Sequence, residues 1–218
     1  MPSALEMVQT LAVWALPVLF AFTGHAMVMA HMAWRLGDRS AEMRERLSLN
    51  PLNHADPIGT VLVPGVLIAL GGFVIGWPKA LPLDPRAFAH PRKALATVSV
   101  AALASNLAMA LAWALLLKVA LGQGAEEGLW VGVKMMALAG VSINLIFMLF
   151  GLLPLPGFAG GHIVGAILPP AQAARWYASQ NLVFIGLIVL MATGILGAVL
   201  GPPFAALRAL VLGVFGIA

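Results

Sequence analysis

The sequence predicts an all-α fold, a polytopic transmembrane helical bundle with about four to six membrane segments, one of them re-entrant or irregular. Of its 218 residues, 61% are hydrophobic and 9% are charged, whereas soluble domains carry about 25% charged residues. Five stretches contain no charged residue: 7–34, 57–78, 94–117, 135–174 and 176–207. A helix needs about 20 residues to cross the ~30 Å hydrocarbon core. The composition therefore excludes a soluble globule, and the absence of alternation disfavours transmembrane strands.

The apolar stretches predict one transmembrane domain over residues 1–218. We expect spans at about 5–34, 94–121, 129–153 and 181–200, a short or re-entrant segment at 60–75, and an apolar tail at 204–218. The segment at 60–75 is too short for an ordinary span and contains Pro64 and the pair Gly71 and Gly72. These features favour irregular backbone that is packed inside the protein.

The distribution of charge orients the predicted spans. Thirteen of the 20 charged residues lie between Arg35 and Lys93, and cytoplasmic loops of membrane proteins carry an excess of Lys and Arg. We therefore expect both the end of the first span and the start of the span at 94–121 to be cytoplasmic. The turn at Glu126 and Glu127 then lies outside, and the chain returns to the cytoplasmic side near 154–161, level with His25.

Composition also limits the partners and the site chemistry. The basic residues cluster beside apolar spans, so the pI near 10.1 indicates membrane flanks and not nucleic-acid binding. The chain has no cysteine, which excludes disulfides, cysteine-ligated zinc and iron–sulfur clusters. Asn106 and Asn144 lie within apolar spans, where we expect them to hydrogen-bond between helices.

Several sequence blocks agree in order and spacing with a known family. They read AWRLGD at 33–38, LSLNPLNHADPIGT at 47–60, GWPKALPLDPR at 76–86, SNL at 105–107 and LLPLPGFAGGHI at 152–163. In these blocks the chain resembles the site-2 protease family, which consists of polytopic intramembrane zinc metalloproteases. It is similar to the compact branch that lacks a PDZ domain, and the resemblance covers roughly residues 20–165.

The resemblance implies a specific metal chemistry in the family. The family pattern is His-Glu-x-x-His followed by Asn-x-x-Pro-x-x-x-x-Asp-Gly. Two histidines one helical turn apart bind zinc, and the glutamate activates the zinc-bound water. The aspartate supplies a third ligand, and the asparagine helps to position the substrate.

This chain departs from the family pattern at most of the chemical positions. The first motif falls on His25, on Ala26 at the glutamate position and on Met29 at the second histidine. The second motif falls on Gly151 at the asparagine position, Pro154, Ala159 at the aspartate position, and Gly160 followed by Gly161. His25, Pro154 and Gly160 match the pattern. The resemblance thus implies no catalytic residue here, because Ala26, Gly151 and Ala159 cannot replace the polar groups.

A displaced metal site is the alternative that the remaining histidines allow. His25 is the first candidate ligand, with Met29, His31 and His162 as further candidates. His25 and His31 are six residues apart, about 240° around a helix, so they point to different faces. His162 follows Gly161, where the family has His or Arg. With Met29 and Met32, His25 forms a helical face whose thioether and imidazole groups would favour Cu(I).

These observations predict a non-proteolytic scaffold of the site-2 protease type, which binds or regulates a membrane partner. Two alternatives stay open: an active intramembrane zinc metalloprotease with a displaced metal site, and a small metal-handling or transport protein. We expect no cofactor, or zinc if the family activity persists. The expected partners are the lipid bilayer and a transmembrane segment of another protein, in a bacterial or archaeal cytoplasmic membrane that the chain crosses several times.

Overall fold

The computed structural model describes residues 3–48, 50–54, 56–62, 66, 79, 81, 83–124 and 128–217. Across this part of the chain the regular secondary structure is helical and contains no strand. The α-helices are α1 (Ala4–Leu36), α2 (Ala41–Glu45), α3 (Pro91–Gly122), α4 (Leu129–Leu152), α5 (Ala159–Ile167), α6 (Pro170–Ala178), α7 (Gln180–Ala192) and α8 (Ile195–Gly213). Short 3₁₀ turns at Pro51–Asn53 and Pro85–Ala87 and a π-helical turn at Pro57–Leu62 lie between α2 and α3.

Four helices are long and apolar enough to cross a membrane. They are Val8–Leu36, Pro91–Gly122, Leu129–Leu152 and Ile195–Gly213. Helices α6 and α7 are bent by 50° at the break between them and would together form a fifth, broken segment. This arrangement confirms the prediction of an all-α polytopic bundle. The predicted re-entrant segment at 60–75 lies mostly outside the described residues.

The C-terminal helices differ from the predicted span at 181–200 and tail at 204–218. Helix α7 ends at Ala192 and α8 begins at Ile195. Gly194, between them, interrupts the helix because it adopts φ +76°, a left-handed conformation that glycine favours. Helix α8 then continues through Pro202 and Pro203. In hydrocarbon no water can replace the remaining helical hydrogen bonds, so a proline pair need not end the helix.

Helix α3 lies at the centre of the bundle and packs against α1, α4 and α5. Its buried positions are mostly small residues: Ala94, Val98, Ser99, Ala102, Leu103, Asn106, Ala110, Ala114, Leu117 and Ala120. Small side chains let helix backbones approach closely in lipid, where dispersion contacts replace the hydrophobic drive of water. The approach of α4 is so close that a Cβ added at Gly140 would overlap the Trp113 ring.

One end of the bundle is capped by the loops around α2 and Pro85–Ala87. A buried cluster joins Ala30 and Ala33 of α1, Met43 of α2, Phe88, and Ala94 and Val98 of α3. Arg39 covers the Trp34 ring with its guanidinium carbon 4.5 Å from the ring centroid, a cation–π geometry. The cluster brings the end of α1 and the start of α3 to the same end of the bundle.

Cysteine labelling in intact cells measures this topology without background, because the natural chain has no cysteine. Glu42→Cys and Arg86→Cys should react from one side of the membrane, since both residues lie in the cap. Gln123→Cys should react only from the other side, because α3 separates it from the cap by about 48 Å at 1.5 Å per residue. Labelling of Glu42→Cys and Arg86→Cys from opposite sides would refute this arrangement.

Candidate functional site

The motif positions are arranged along one face of α3. Ser99, Leu103 and Asn106 are spaced by four and three residues, so they share this face, and all three are buried. Each contacts a different motif segment, as described below. The face extends about 10 Å along the helix from Ser99 to Asn106.

His25 contacts the buried amide at the inner end of this face. Its Nδ1 lies 3.3 Å from Asn106 Oδ1, so the tautomer with a proton on Nδ1 donates a hydrogen bond to that oxygen. Asn106 has no exposed surface, and its Nδ2 lacks a hydrogen-bond partner among the described residues. Asn106 is midway along α3 (Pro91–Gly122), so the pair lies deep in the bilayer. The expected contact between helices is thus made by Asn106, whereas Asn144 donates to Gly140 O of its own helix at 2.9 Å.

The first and second motifs lie at the same depth because two aromatic rings align α1 with α4. Phe22 and Phe147 stack with centroids 5.0 Å apart and ring planes at 11°. Ala26 and Gly151 each follow the stacked residue by four positions, which is about one turn. Both helices run toward the capped end here. Ala26 and Gly151, which the resemblance aligns with the glutamate and asparagine of the family pattern, are therefore level with each other.

The two positions of the second motif meet beside α3. A Cβ added at Gly151 would lie 2.9 Å from Leu103 Cδ2 and 3.9 Å from Ala159 Cβ. Leu103 is about one turn from Asn106, which contacts His25. The structure therefore groups His25, Gly151 and Ala159 around one turn of α3, with Ala26 at the same level.

The break between α4 and α5 is held by two glycines. A Cβ at Gly161 would overlap the Leu155 carbonyl, and a Cβ at Gly160 would overlap the carbonyls that end α4. Trp176 of α6 donates its indole N–H to Gly161 O at 3.1 Å. The chain turns through Pro154 between these contacts. The motif residues Pro154, Gly160 and Gly161 thus set the shape of the break that positions Ala159.

The remaining candidate ligands lie elsewhere. His162 Nδ1 is 3.0 Å from the Ser99 hydroxyl, about 10 Å along α3 from the contact of His25. His31 is exposed, and its Nδ1 is 3.3 Å from Met27 O of its own helix. Met29 packs against the buried cluster of the cap, and so does Met32. The structure does not bring His31 or His162 to His25, and packing alone accounts for the position of Met29.

The zinc ion of the family does not fit this set of side chains. Protein zinc sites use three or four His, Cys, Asp or Glu ligands, and no group of three such side chains that could hold a metal occurs among the described residues. Of the motif positions grouped around the turn of α3 at Leu103 and Asn106, His25 alone carries a zinc-type donor. Alanine and glycine side chains can neither ligate a metal nor activate a water.

The candidate residues predicted from the sequence do not include Arg208, which lies in the predicted apolar tail at 204–218. Its Nε is buried and lacks a hydrogen-bond partner among the described residues. The signal was present, because Arg208 is the single charged residue between 176 and 218. Ser99 was also missed, since a serine in an apolar span carries no signal until its partner, His162, is known.

Comparison with known proteins identifies several relatives. The chain is 34% identical over 200 residues to "Putative zinc metalloprotease YwhC" of Bacillus subtilis, which covers 91% of this chain and 88% of that protein. It is 32% identical over 186 residues to "Putative zinc metalloprotease Rip2" of Mycolicibacterium smegmatis, covering 84% of this chain and 66% of that protein. Rip2 of Mycobacterium tuberculosis H37Rv is 31% identical, with the same coverage of 84% and 66%. No family model and no solved structure matches the chain.

The glycine contact at the break predicts a selective loss of stability. Gly161→Ala forces a methyl group against the Leu155 carbonyl and should lower the free energy of unfolding by about 1–3 kcal/mol. Gly186→Ala in α7 is the control, because nothing lies within 4 Å of its added Cβ, and it should be neutral or slightly stabilising. Unfolding in mixed micelles measures both variants. Equal stability of the two would contradict the described break.

Proposed function

Because this chain belongs to the site-2 protease family, as its similarity to YwhC over 91% of its length shows, we propose that it is a non-proteolytic member that binds a transmembrane segment of a partner protein. It is a multi-pass protein, and its bacterial relatives assign it to the cytoplasmic membrane. The name zinc metalloprotease belongs to the relatives and not to this chain.

The observation that carries the proposal is the set of residues around Leu103 and Asn106. By alignment with the family motifs, Ala26 replaces the general base, Met29 replaces a ligand and Ala159 replaces the acidic ligand. Losing a general base alone lowers rates by about 10²–10⁴-fold. A chain that lacks this base and two of three ligands has no group to hold or activate the water that cleaves a peptide bond.

The geometry of the break supports a binding role. Gly160 and Gly161 hold α5 against the end of α4, and Gly151 and Ala159 are neighbours beside Leu103. The replaced positions carry small side chains, and small residues are where transmembrane helices approach each other most closely. The backbone arrangement at Gly160 and Gly161, which would present a substrate segment in the family, is therefore kept in this chain, whereas the acidic side chains are not.

His25 and Asn106 give this surface a polar recognition point. Asn106 Nδ2 is without a hydrogen-bond partner among the described residues, and the Nε2 of His25 faces away from the contact with Asn106. An unpaired polar group in hydrocarbon is costly. A partner segment with a break in its helix has free backbone carbonyls, which could accept hydrogen bonds from such groups. A locally unwound transmembrane segment is therefore the partner that this site suits.

Metal analysis tests the loss of the zinc site. The natural chain, purified from zinc-supplemented cells, should contain far less than one zinc per chain by mass spectrometry of the metal. A variant with Ala26→Glu, Met29→His and Ala159→Asp should bind about one zinc, because it adds two ligands to His25 and restores the base. His31→Ala added to this variant is the control and should leave the zinc bound.

Two results of the same measurement would overturn the proposal. Stoichiometric zinc in the natural chain, lost on His25→Ala, would indicate an active metalloprotease site. Stoichiometric copper, lost on His25→Ala or on Met29→Ala, would indicate a metal-handling protein.

Site-specific photo-crosslinking in cells tests the binding role. A photoreactive residue at Ala159, which is half-buried, should give a discrete adduct with a membrane protein. The same residue at Val100, which is 53% exposed on α3, is the control and should not. Identical adducts at both positions, or no adduct at Ala159, would count against binding at this surface.

A further inference from the structure

Arg208 is a charged residue within an apolar helix. It is the single charged residue of α8 (Ile195–Gly213), which is a candidate membrane span. Its Nε is buried and has no hydrogen-bond partner among the described residues. A cation in the hydrocarbon region is expensive and usually pairs with another group. The position of Arg208 thus requires a physical explanation.

Packing against α3 sets the depth of the half-buried Arg208 along the bundle axis. Val211, three residues later, belongs to one buried cluster with Ala110 and Ala114 of α3 and with Val141 and Leu145 of α4. Further along, a Cβ added at Gly216 would lie 3.9 Å from the Lys118 ammonium of α3, so α8 runs parallel to α3. Arg208 therefore lies within roughly 5 Å of the midpoint of α3 along its axis.

The side chain also cannot easily reach the membrane surface at the nearer end. Side chains on a helix point toward its N-terminus, and in α8 that direction leads away from the end at Gly213. An arginine near the start of a span could extend outward to the headgroups, whereas the Cα–Cβ bond at Arg208 is tilted toward the middle of the span. Its positive charge therefore requires a pairing group inside the membrane.

Arg208 lies in a groove on α8. This α8 groove encloses about 610 Å³ and is lined by Phe204, Ala205, Arg208, Ala209, Leu212 and Gly213, with Gly216 and Ile217 at its end. Ala205, Ala209 and Gly213 are exposed and recur at every fourth position, a spacing that lets a second helix approach the backbone closely. The groove thus combines an exposed row of small residues with one cation.

We propose that the α8 groove binds a transmembrane helix of another protein, which carries a carboxylate at mid-bilayer depth that pairs with Arg208. Charge complementarity identifies this occupant. None of the eight acidic residues of the chain lies in a candidate span or in the bent pair α6–α7. The spans that the structure describes in this chain, and the same spans in a second copy, therefore contain no carboxylate at this depth.

The depth of Arg208 in the membrane favours a helix over a lipid headgroup as the occupant. The phosphate of a phospholipid lies about 15 Å from the bilayer centre, half of the ~30 Å hydrocarbon thickness. Arg208 is much nearer to the centre, where an acidic side chain of a spanning helix can reach it. The α8 groove is a different surface from the one around Leu103 and Asn106, so this proposal does not depend on the proposed function.

Energy transfer between the labelled full chain and a synthetic peptide tests the proposal in phosphatidylcholine vesicles. The probe is a Leu/Ala helix of about 23 residues with one central Glu, and its controls carry Gln or Leu there. The Glu peptide should bind roughly tenfold more tightly than the Leu peptide, as a charge-assisted hydrogen bond predicts. Arg208→Leu should abolish that difference, whereas Arg175→Leu, which removes an exposed cation on α6, should leave it unchanged.

A charge reversal keeps the test decisive if Arg208→Leu alters folding. Arg208→Glu should lose the preference for the Glu peptide and gain a preference for a peptide with a central Lys. Equal binding of the Glu, Gln and Leu peptides would overturn the proposal. So would Arg208-dependent binding of phosphatidylglycerol in place of the peptide, which would indicate a headgroup site. Arg208-dependent self-association without peptide would overturn it as well, because the occupant would then be a second copy.

Discussion

The close packing of α3 against three neighbouring helices is the constraint on which the rest of the structure depends. Lipid tails give helices no hydrophobic reason to associate, so the contact must come from shape. Helix α3 meets this requirement with alanines along its buried faces and with a glycine on α4 opposite Trp113. The same closeness brings Asn106 to His25 and Leu103 to the break after α4. The arrangement of the candidate site therefore follows from how α3 is packed.

At the motif positions, this chain keeps the residues that shape the backbone and lacks most of the side chains that would bind metal. The proline and glycine positions that shape the backbone are kept, because a Cβ at Gly160 or Gly161 would collide with carbonyl oxygens. Alanine occupies the two positions that are acidic in the family pattern, and its side chain needs no hydrogen-bond partner in a low-dielectric interior. An isolated carboxylate there would need a metal or a cation to compensate it. Loss of the metal and loss of the acidic residues are therefore physically coupled, since a carboxylate left without the metal would destabilise the bundle.

The fold class could be predicted because it depends on local sequence. Apolar runs of sufficient length predict spans, whereas Ala26, Gly151 and Ala159 are assigned to motif positions by the resemblance to the family and stay a prediction. The division of the C-terminal region at Gly194 could not be predicted, because the proline pair at 202–203 is the stronger helix-breaking signal in water. The partner of Asn106 was also beyond the sequence, since it depends on the register between α1 and α3. Arg208 was overlooked because its depth becomes apparent only from the packing of Val211.

We propose that this chain keeps the geometry of an intramembrane zinc site and His25, but has lost the other two ligands and the general base. Anomalous scattering at the zinc edge, from crystals of the variant with Ala26→Glu, Met29→His and Ala159→Asp, tests it most directly. The account predicts one zinc at about 2.0–2.1 Å from a ring nitrogen of His25, within bonding distance of the side chains introduced at 29 and 159. Zinc bound at His31 or His162, or no bound zinc, would contradict the account.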